Sequence, residues 1–305
     1  MLIVAAFADF MQQIVTGLAS GGIYASLALA LVLIYRSTGV INFAQGEMAT
    51  LCTYIAWTLT VNHGWSYWPA FVVTLVFSFF FGVATHRVVI RPVEGGDVLR
   101  VVIVTIGLLI AVNGFVTWQW TGEQRQLKSP FPSDTFDVGG VAISVQDLGT
   151  IAVTLGIVVL LWLLFQYTKI GLALRAAAVN PVEARLVGVR VTWMLALGWG
   201  LAATLGAVAG MLTAPSLGLD PNMMAPILIY AFAAAVLGGI ESPFGAVVGG
   251  LVLGVLINVI SYLSQYHGFG WFTEELKLPL ALGIILVVLL VKPSGLFGRP
   301  EVKRV

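Results

Sequence analysis

Charge is scarce in this chain. Of its 305 residues only 10% are Asp, Glu, Lys or Arg, 59% are hydrophobic and the mean hydropathy is +0.99. Soluble domains carry roughly 25% charged residues, so this chain cannot cover itself with polar groups and its outer surface faces lipid. Cysteine is nearly absent: Cys52 stands alone inside an apolar run, which excludes an intrachain disulfide and reads as a small packing residue. The net charge of +1 gives nucleic acid nothing to bind. His63, His86 and His267 lie far apart, without metal-ligand spacing to Cys or carboxylates. A phosphate-binding loop needs Gly-x4-Gly-Lys-Ser/Thr. The Lys128-Ser129 pair has Leu127 where that glycine belongs, so the chain carries no ATPase site of that type. Ser242 and Ser261 lack the context of a nucleophile elbow, and no catalytic cluster is visible, so the chain does not read as an enzyme. Residues 1–10 contain Asp9 but no Lys or Arg, unlike the basic start of a cleavable signal peptide.

What remains is apolar. A membrane span needs about 20 apolar residues. Residues 13–35, 69–90, 101–120, 148–167, 193–214 and 246–265 qualify. Residues 41–61 qualify too, with Asn42, Gln45 and Glu47 in their first third, while 227–240 and 278–291 are short runs. The expected fold class is all-α: a polytopic transmembrane helical bundle with eight or nine spans, some short or broken. Glycine supplies 34 residues, which in a membrane lets helix backbones approach closely. With the N-terminus outside and nine alternating segments, all the basic residues but Arg125, Lys128 and Lys277 fall inside. Cytoplasmic loops collect Lys and Arg, so this orientation is the expected one and the C-terminus is cytoplasmic. Residues 121–147 then form the longest outer loop and 168–192 the longest inner one.

Three stretches carry chemical information. The first is Val40-Ile41-Asn42-Phe43-Ala44-Gln45-Gly46-Glu47-Met48. Polar groups facing lipid are expensive, so such residues face the bundle interior or a wet path. Gly39 and Gly46 permit a broken helix start, and irregular backbone at membrane depth is tolerated where it is buried or lines a cavity. Two readings stay open: a border of the substrate path, or a hydrogen-bonded lock between helices. The second stretch lies in the inner loop. Asn180 is a helix cap, Pro181 a first helical residue, Glu183 a third-position acid and Gly188 a stop, which predicts a short helix over 181–187 on the cytoplasmic surface. Alanine-rich sequence before it fits a second short helical piece. An ordinary basic loop and a docking element both match this pattern. The third stretch runs from Gly238 to Gly250, where Gly245/Gly249 and Gly250/Gly254 form small-xxx-small pairs, as do Gly17/Gly21 and Gly206/Gly210. Glu241 sits at a turn there, in cytoplasmic water.

Taken in order, these stretches resemble the permease subunits of branched-chain amino acid ABC importers, and the smaller of that family's two permease types. Gly21-Gly22-Ile23-Tyr24 precedes Asn42-Phe43-Ala44-Gln45-Gly46-Glu47. Next come Gly171-x-Ala173-x-Arg175-Ala176 and Asn180-Pro181-x-Glu183-Ala184-x4-Val189, then Gly238-Gly239-x-x-Ser242-Pro243-x-Gly245-Ala246 and Lys292-Pro293-Ser294-Gly295-Leu296-Phe297-Gly298. The resemblance covers nearly the whole chain. It implies one transmembrane permease domain over residues 1–305, with a coupling loop about 168–192. It implies a second related permease, two cytoplasmic ABC ATPase subunits, an extracytoplasmic substrate-binding protein and surrounding lipid, with no nucleic acid. It implies no cofactor in this chain, ATP and Mg²⁺ being bound by partners, and a place in the bacterial inner membrane. The stretch around Asn180, Pro181, Glu183, Ala184, Arg185 and Gly188 resembles the coupling motif that docks on the ATPase. The expected substrate path takes Asn42, Phe43, Gln45, Gly46 and Glu47, with Thr105 and Asn113. The expected cargo is leucine, isoleucine or valine. Gln45 stands where the family often has His, and related importers carry urea, amides or other amino acids. An ion-coupled secondary transporter is the rival of a different class, with Glu47 as its one clear acidic candidate.

Overall fold

A computed structural model describes residues 2–132, 134–138, 140–266 and 276–298. His267, Arg299, Lys303 and Arg304, used above in the metal and orientation arguments, lie outside the described residues. The described residues form eleven α-helices: α1 (Leu2–Thr38), α2 (Gln45–Trp57), α3 (Tyr67–Thr85), α4 (Val98–Trp120), α5 (Val145–Tyr167), α6 (Lys169–Val179), α7 (Pro181–Leu186), α8 (Val191–Leu217), α9 (Met224–Gly238), α10 (Pro243–Tyr266) and α11 (Lys277–Val291). Helices α2 and α3 each continue into a π-helical turn, Thr58–Asn62 and His86–Ile90. Among the described residues six helices are long and apolar enough to cross a membrane: Ala8–Thr38 of α1, α3 with its π-turn, α4, α5, α8 and Pro243–Ser264 of α10. They coincide with the six long runs in the sequence. The protein is an all-α polytopic bundle. The described residues also include a β-hairpin, in which β1 (Thr135–Val138) pairs antiparallel with β2 (Val141–Ser144). Gly140, at φ 88°, adopts the left-handed backbone that glycine permits where this hairpin turns.

The chain divides into two compact units. The first comprises 1–28, 129–156 and 226–305. Its seam is built from glycine, because only the absence of a Cβ lets these backbones meet. A Cβ at Gly21 would lie 2.8 Å from the Gly250 carbonyl oxygen, and one at Gly17 would lie 2.7 Å from the Val255 Cα, so α1 and α10 touch backbone to backbone. The same device joins α9 to α10 through Gly238 against Gly245 and Ala234 against Gly249. The Gly-Gly/Ser-Pro stretch also meets the C-terminal motif: the Leu296 and Phe297 amides donate to the Leu237 and Gly238 carbonyls at 2.8 and 2.9 Å, and Phe297 packs edge-on against Phe244.

The second unit comprises 29–128 and 157–225. Its axis is α8, on which α2, α3 and α6 pack. Gly82 of α3 faces Trp199 and Ala203 of α8, and Gly200 of α8 faces Phe79 and Val83. Cys52 is fully buried with Ala56, Ala207 and Met211.

Candidate functional site

The end of α1 sets up the first polar stretch. Gly39, at φ 72°, stops the helix, its amide donating to the Tyr35 carbonyl at 2.7 Å. Residues 39–44 are then irregular, and Val40, Asn42 and Ala44 are buried. Asn42 organises this break: its Oδ1 accepts from the Ala44 amide at 3.1 Å, and its Nδ2 donates to Gln45 Oε1 at 3.2 Å. Gln45 in turn donates through Nε2 to the Ala202 carbonyl of α8 at 2.9 Å. Ala202 stands eleven residues into α8, about 17 Å at 1.5 Å per residue. Helix α2 therefore starts near the middle of a spanning helix, at membrane depth, which is where an irregular segment must be buried in protein.

The cluster divides by what its members touch. Asn42 and Gln45 are fully buried and bonded within the break and to α8, and Gly46 is buried with them. Phe43 is 38% exposed. Glu47, one helical turn beyond Phe43, faces α4, where Asn113 Nδ2 donates to its Oε2 at 3.1 Å. The same Nδ2 lies 3.0 Å from Asn222 Oδ1 and 3.3 Å from the Pro221 carbonyl oxygen. Thr105, two turns earlier on α4, is buried and donates to the Val102 carbonyl of its own helix at 2.9 Å.

Asn222 and Pro221 belong to a second broken segment, between α8 and α9. Gly218, at φ 84°, ends α8, and Leu219 exchanges two backbone hydrogen bonds with Arg125, both 2.8 Å. The chain then reaches Asn113, seven residues (about 10 Å) before the end of α4. Asp220 shapes this descent by accepting the Asn222 amide through Oδ1 at 2.8 Å. Above the cluster, Tyr54 on α2 lies against Trp120, ring centroids 5.2 Å apart, and Trp120 donates through Nε1 to Thr58 Oγ1 at 2.9 Å. The Arg125 guanidinium lies 4.5 Å over the Trp57 ring and donates to the Trp120 carbonyl. Asp220, Asn222, Tyr54 and Arg125 were not singled out from sequence. The available signal was a short apolar run, 227–240, preceded by Gly-Leu-Asp-Pro-Asn: a broken helix start like that at 39–44.

At the other end of α8 lies the inner loop. Thr168 caps α6 by accepting from the Gly171 amide, and Asn180 Oδ1 accepts from the Val182 and Glu183 amides at 3.1 and 3.2 Å to cap α7. Pro181 is the first residue of α7, and Gly188, at φ 86°, lies just past its end, as the spacing predicted. Ala184 packs on Ala177 of α6 and on Val191 and Leu195 of α8, while Glu183 and Arg185 are exposed. Val182, Leu186 and Val187 are exposed at 66%, 82% and 78%. No group of three or more metal-ligating side chains occurs among the described residues.

The helices of membrane length are interrupted at depth beside a buried carboxylate, and the short helix α7 exposes Val182 and Leu186 beside the charged Glu183 and Arg185. The chain belongs to the family described as branched-chain amino acid transport system / permease component, whose model matches residues 13–290. It is 33% identical to the high-affinity branched-chain amino acid transport system permease protein BraD of Pseudomonas aeruginosa, over 97% of this chain and 98% of that protein. It is 31% identical to the corresponding permease LivH of Escherichia coli K12, over 98% and 99%. Identity to the probable LivH of Methanocaldococcus jannaschii is 30%, over 89% and 87%. The chain is thus a transport permease component and not an enzyme.

Proposed function

We propose that this chain is the smaller permease subunit of an ATP-driven importer of branched-chain amino acids in the bacterial inner membrane. The observation that carries the coupling is α7. It is a capped two-turn helix whose one buried side chain, Ala184, seats it on α6 and α8, while Val182, Leu186 and Val187 face outward. Apolar side chains on a cytoplasmic loop cost free energy in water and favour a covering partner. A cytoplasmic ATPase subunit is the partner that supplies the energy a chain without a phosphate loop lacks. ATP and Mg²⁺ bind in that pair of subunits, not here.

The mechanism follows from α8. Motion imposed on α7 reaches α8 through Val191 and Leu195. Helix α8 holds the start of α2 through Ala202 and Gln45, and α2 carries Glu47. Alternating access is then a shift of α8 and α2 against α4 that opens and closes the polar cluster. Asn42, Phe43, Gln45, Gly46, Glu47, Thr105 and Asn113 shape or line the path, and Asn180, Pro181, Glu183, Ala184, Arg185 and Gly188 form the coupling element. In this reading α2, α9 and α11 join the six long helices as nine membrane segments of one permease domain with a cytoplasmic C-terminus. A second related permease completes the path, and an extracytoplasmic binding protein delivers the substrate.

The test is ATP-dependent leucine uptake into proteoliposomes holding the assembled complex and its binding protein. Glu183→Ala and a swap of the 181–188 loop are expected to abolish most uptake while the complex still assembles. ATPase activity stimulated by the binding protein without leucine uptake would keep the importer and discard the cargo. Uptake without the ATPase subunits would sink the ATP-driven reading in favour of ion coupling.

A further inference from the structure

The Asn113 amide nitrogen sits among three acceptors: Glu47 Oε2 at 3.1 Å, Asn222 Oδ1 at 3.0 Å and the Pro221 carbonyl oxygen at 3.3 Å. A carboxylate and a backbone carbonyl only accept, so this atom is necessarily the nitrogen of Asn113 and not its oxygen. A primary amide has two protons, and three acceptors surround it. Two protons cannot give three acceptors a full hydrogen bond each.

The surroundings add negative charge beside Glu47, and Arg125 is within electrostatic reach of Tyr54. Asp220 lies within electrostatic reach of both Glu47 and Tyr54. Among the described residues neither Glu47 nor Asp220 forms an ion pair, and the other oxygen of Glu47 receives no hydrogen bond. Tyr54 is fully buried, and its hydroxyl has no hydrogen-bond partner among the described residues. A buried, hydrogen-bonding hydroxyl left unmatched costs about 1–3 kcal/mol.

We propose that the cradle formed by Glu47, Asn222 and the Pro221 carbonyl is the binding site for a primary ammonium group, and that the Asn113 amide occupies the ammonium position as an internal stand-in until a ligand displaces it. An –NH₃⁺ group donates three hydrogen bonds, matching three acceptors where the amide matches two. Its positive charge also meets Glu47 and Asp220, which the neutral amide does not neutralise, and charge-assisted hydrogen bonds are roughly twice as strong as neutral ones. Asn113 is half-buried, and displacement proceeds through rotation of its side chain away from Glu47 and Asn222. Resting on the importer reading, the ligand is the α-ammonium of the transported amino acid, and Asn113 is a gate side chain that holds the site closed.

The stand-in role predicts opposite signs for neighbouring substitutions, which a lining or structural role does not. The permease complex is purified in lipid nanodiscs without the binding protein, and binding is read by thermal-shift titration. The probes are 3-methylbutylamine, which has the ammonium and the tail; 4-methylpentanoate, which has the carboxylate and the tail; and sodium chloride. The amine is expected to bind and the acid not to. Glu47→Gln and Asn222→Ala should weaken amine binding about tenfold, the worth of one charged hydrogen bond. Asn113→Ala should strengthen it, because the ligand no longer displaces an occupant. Asn113→Ser, which keeps a small polar side chain, supplies the same comparison if the alanine variant does not yield monodisperse complex. Equal binding of amine and acid, equal protection by sodium, or weaker amine binding in both Asn113 variants overturns the proposal. Leucine uptake is measured on the same preparations. Uptake without amine preference removes the cradle and keeps the importer. Amine binding without ATP-driven uptake keeps the cradle and removes the importer.

Discussion

Helices α8 and α4 belong to the same unit and both cross the membrane by length and composition, yet one is buried almost end to end and the other hardly at all. From Val191 to Ala214, α8 buries most of its residues on all faces; α4 buries only Val101, Thr105, Val112 and Val116 and exposes Ile103, Ile110 and Trp118. Hydrophobicity does not separate them. Side-chain size does. In lipid no hydrophobic force draws helices together, so close packing decides which helix lies inside. The central part of α8 reads Gly-Trp-Gly-Leu-Ala-Ala-Thr-Leu-Gly-Ala-Val-Ala-Gly, narrow enough for α2 and α3 to approach its backbone. Helix α4 reads Val-Val-Ile-Val-Thr-Ile-Gly-Leu-Leu-Ile, whose bulk serves hydrocarbon contact.

The sharpest way to break this contrast is to make α8 resemble α4. A Cβ at Gly206 would lie 2.7 Å from Gln45 Nε2, and one at Gly210 would meet the Thr53 hydroxyl. Gly206→Leu is expected to cost about 3 kcal/mol or more, at the upper end of overpacking penalties, and to abolish recovery of monodisperse complex in size-exclusion chromatography. A leucine accepted there at wild-type yield would show that the small residues of α8 are not what seats α2.

A smaller effect is expected at the polar tie between α8 and α2. Gln45→Leu deletes the bond to Ala202 and leaves the buried Asn42 amide with only the weak Met48 Sδ acceptor at 3.6 Å. An unmatched buried polar group costs about 1–3 kcal/mol, to be read as a lower unfolding midpoint of the assembled complex. If stability falls and binding-protein-stimulated ATP hydrolysis still drives uptake at the wild-type ratio, Gln45 is a lock. If the coupling ratio falls at unchanged stability, it transmits the motion of α8.

The same contrast explains what was legible in the sequence. Long apolar runs announce themselves, and all six long helices lie where the runs are. Helix α7 was legible because Asn180, Pro181 and Gly188 act locally, each through its own backbone conformation. The polar cluster was half legible. Asn42, Gln45 and Glu47 stand out as polar residues in an apolar run, but whether each bonds inward or faces a cavity depends on α8 and on the segment 218–223, far along the chain. Asp220 and Asn222 look like ordinary loop residues until the descent of that segment places them beside Asn113. The outer hairpin escaped because two four-residue strands are too short to show alternation.

The smallest effect is the converse substitution on α4. A Cβ at Gly107 or Gly114 meets no atom within 4 Å. Alanine there should fit without strain, and since glycine in a helix interior is destabilising by roughly 0.5–1 kcal/mol relative to alanine, Gly107→Ala and Gly114→Ala should each raise the unfolding midpoint slightly. The pair sharpens the comparison because the chemical change is one methyl group, as in Gly206→Ala, while the surroundings differ. If the α4 variants are neutral or stabilising in the isolated chain and in the complex alike, the open face of α4 meets lipid. If they stabilise the isolated chain but lower the yield of complex, the glycines of α4 do between subunits what those of α8 do within one, and the exposed face of α4 is where the second permease packs.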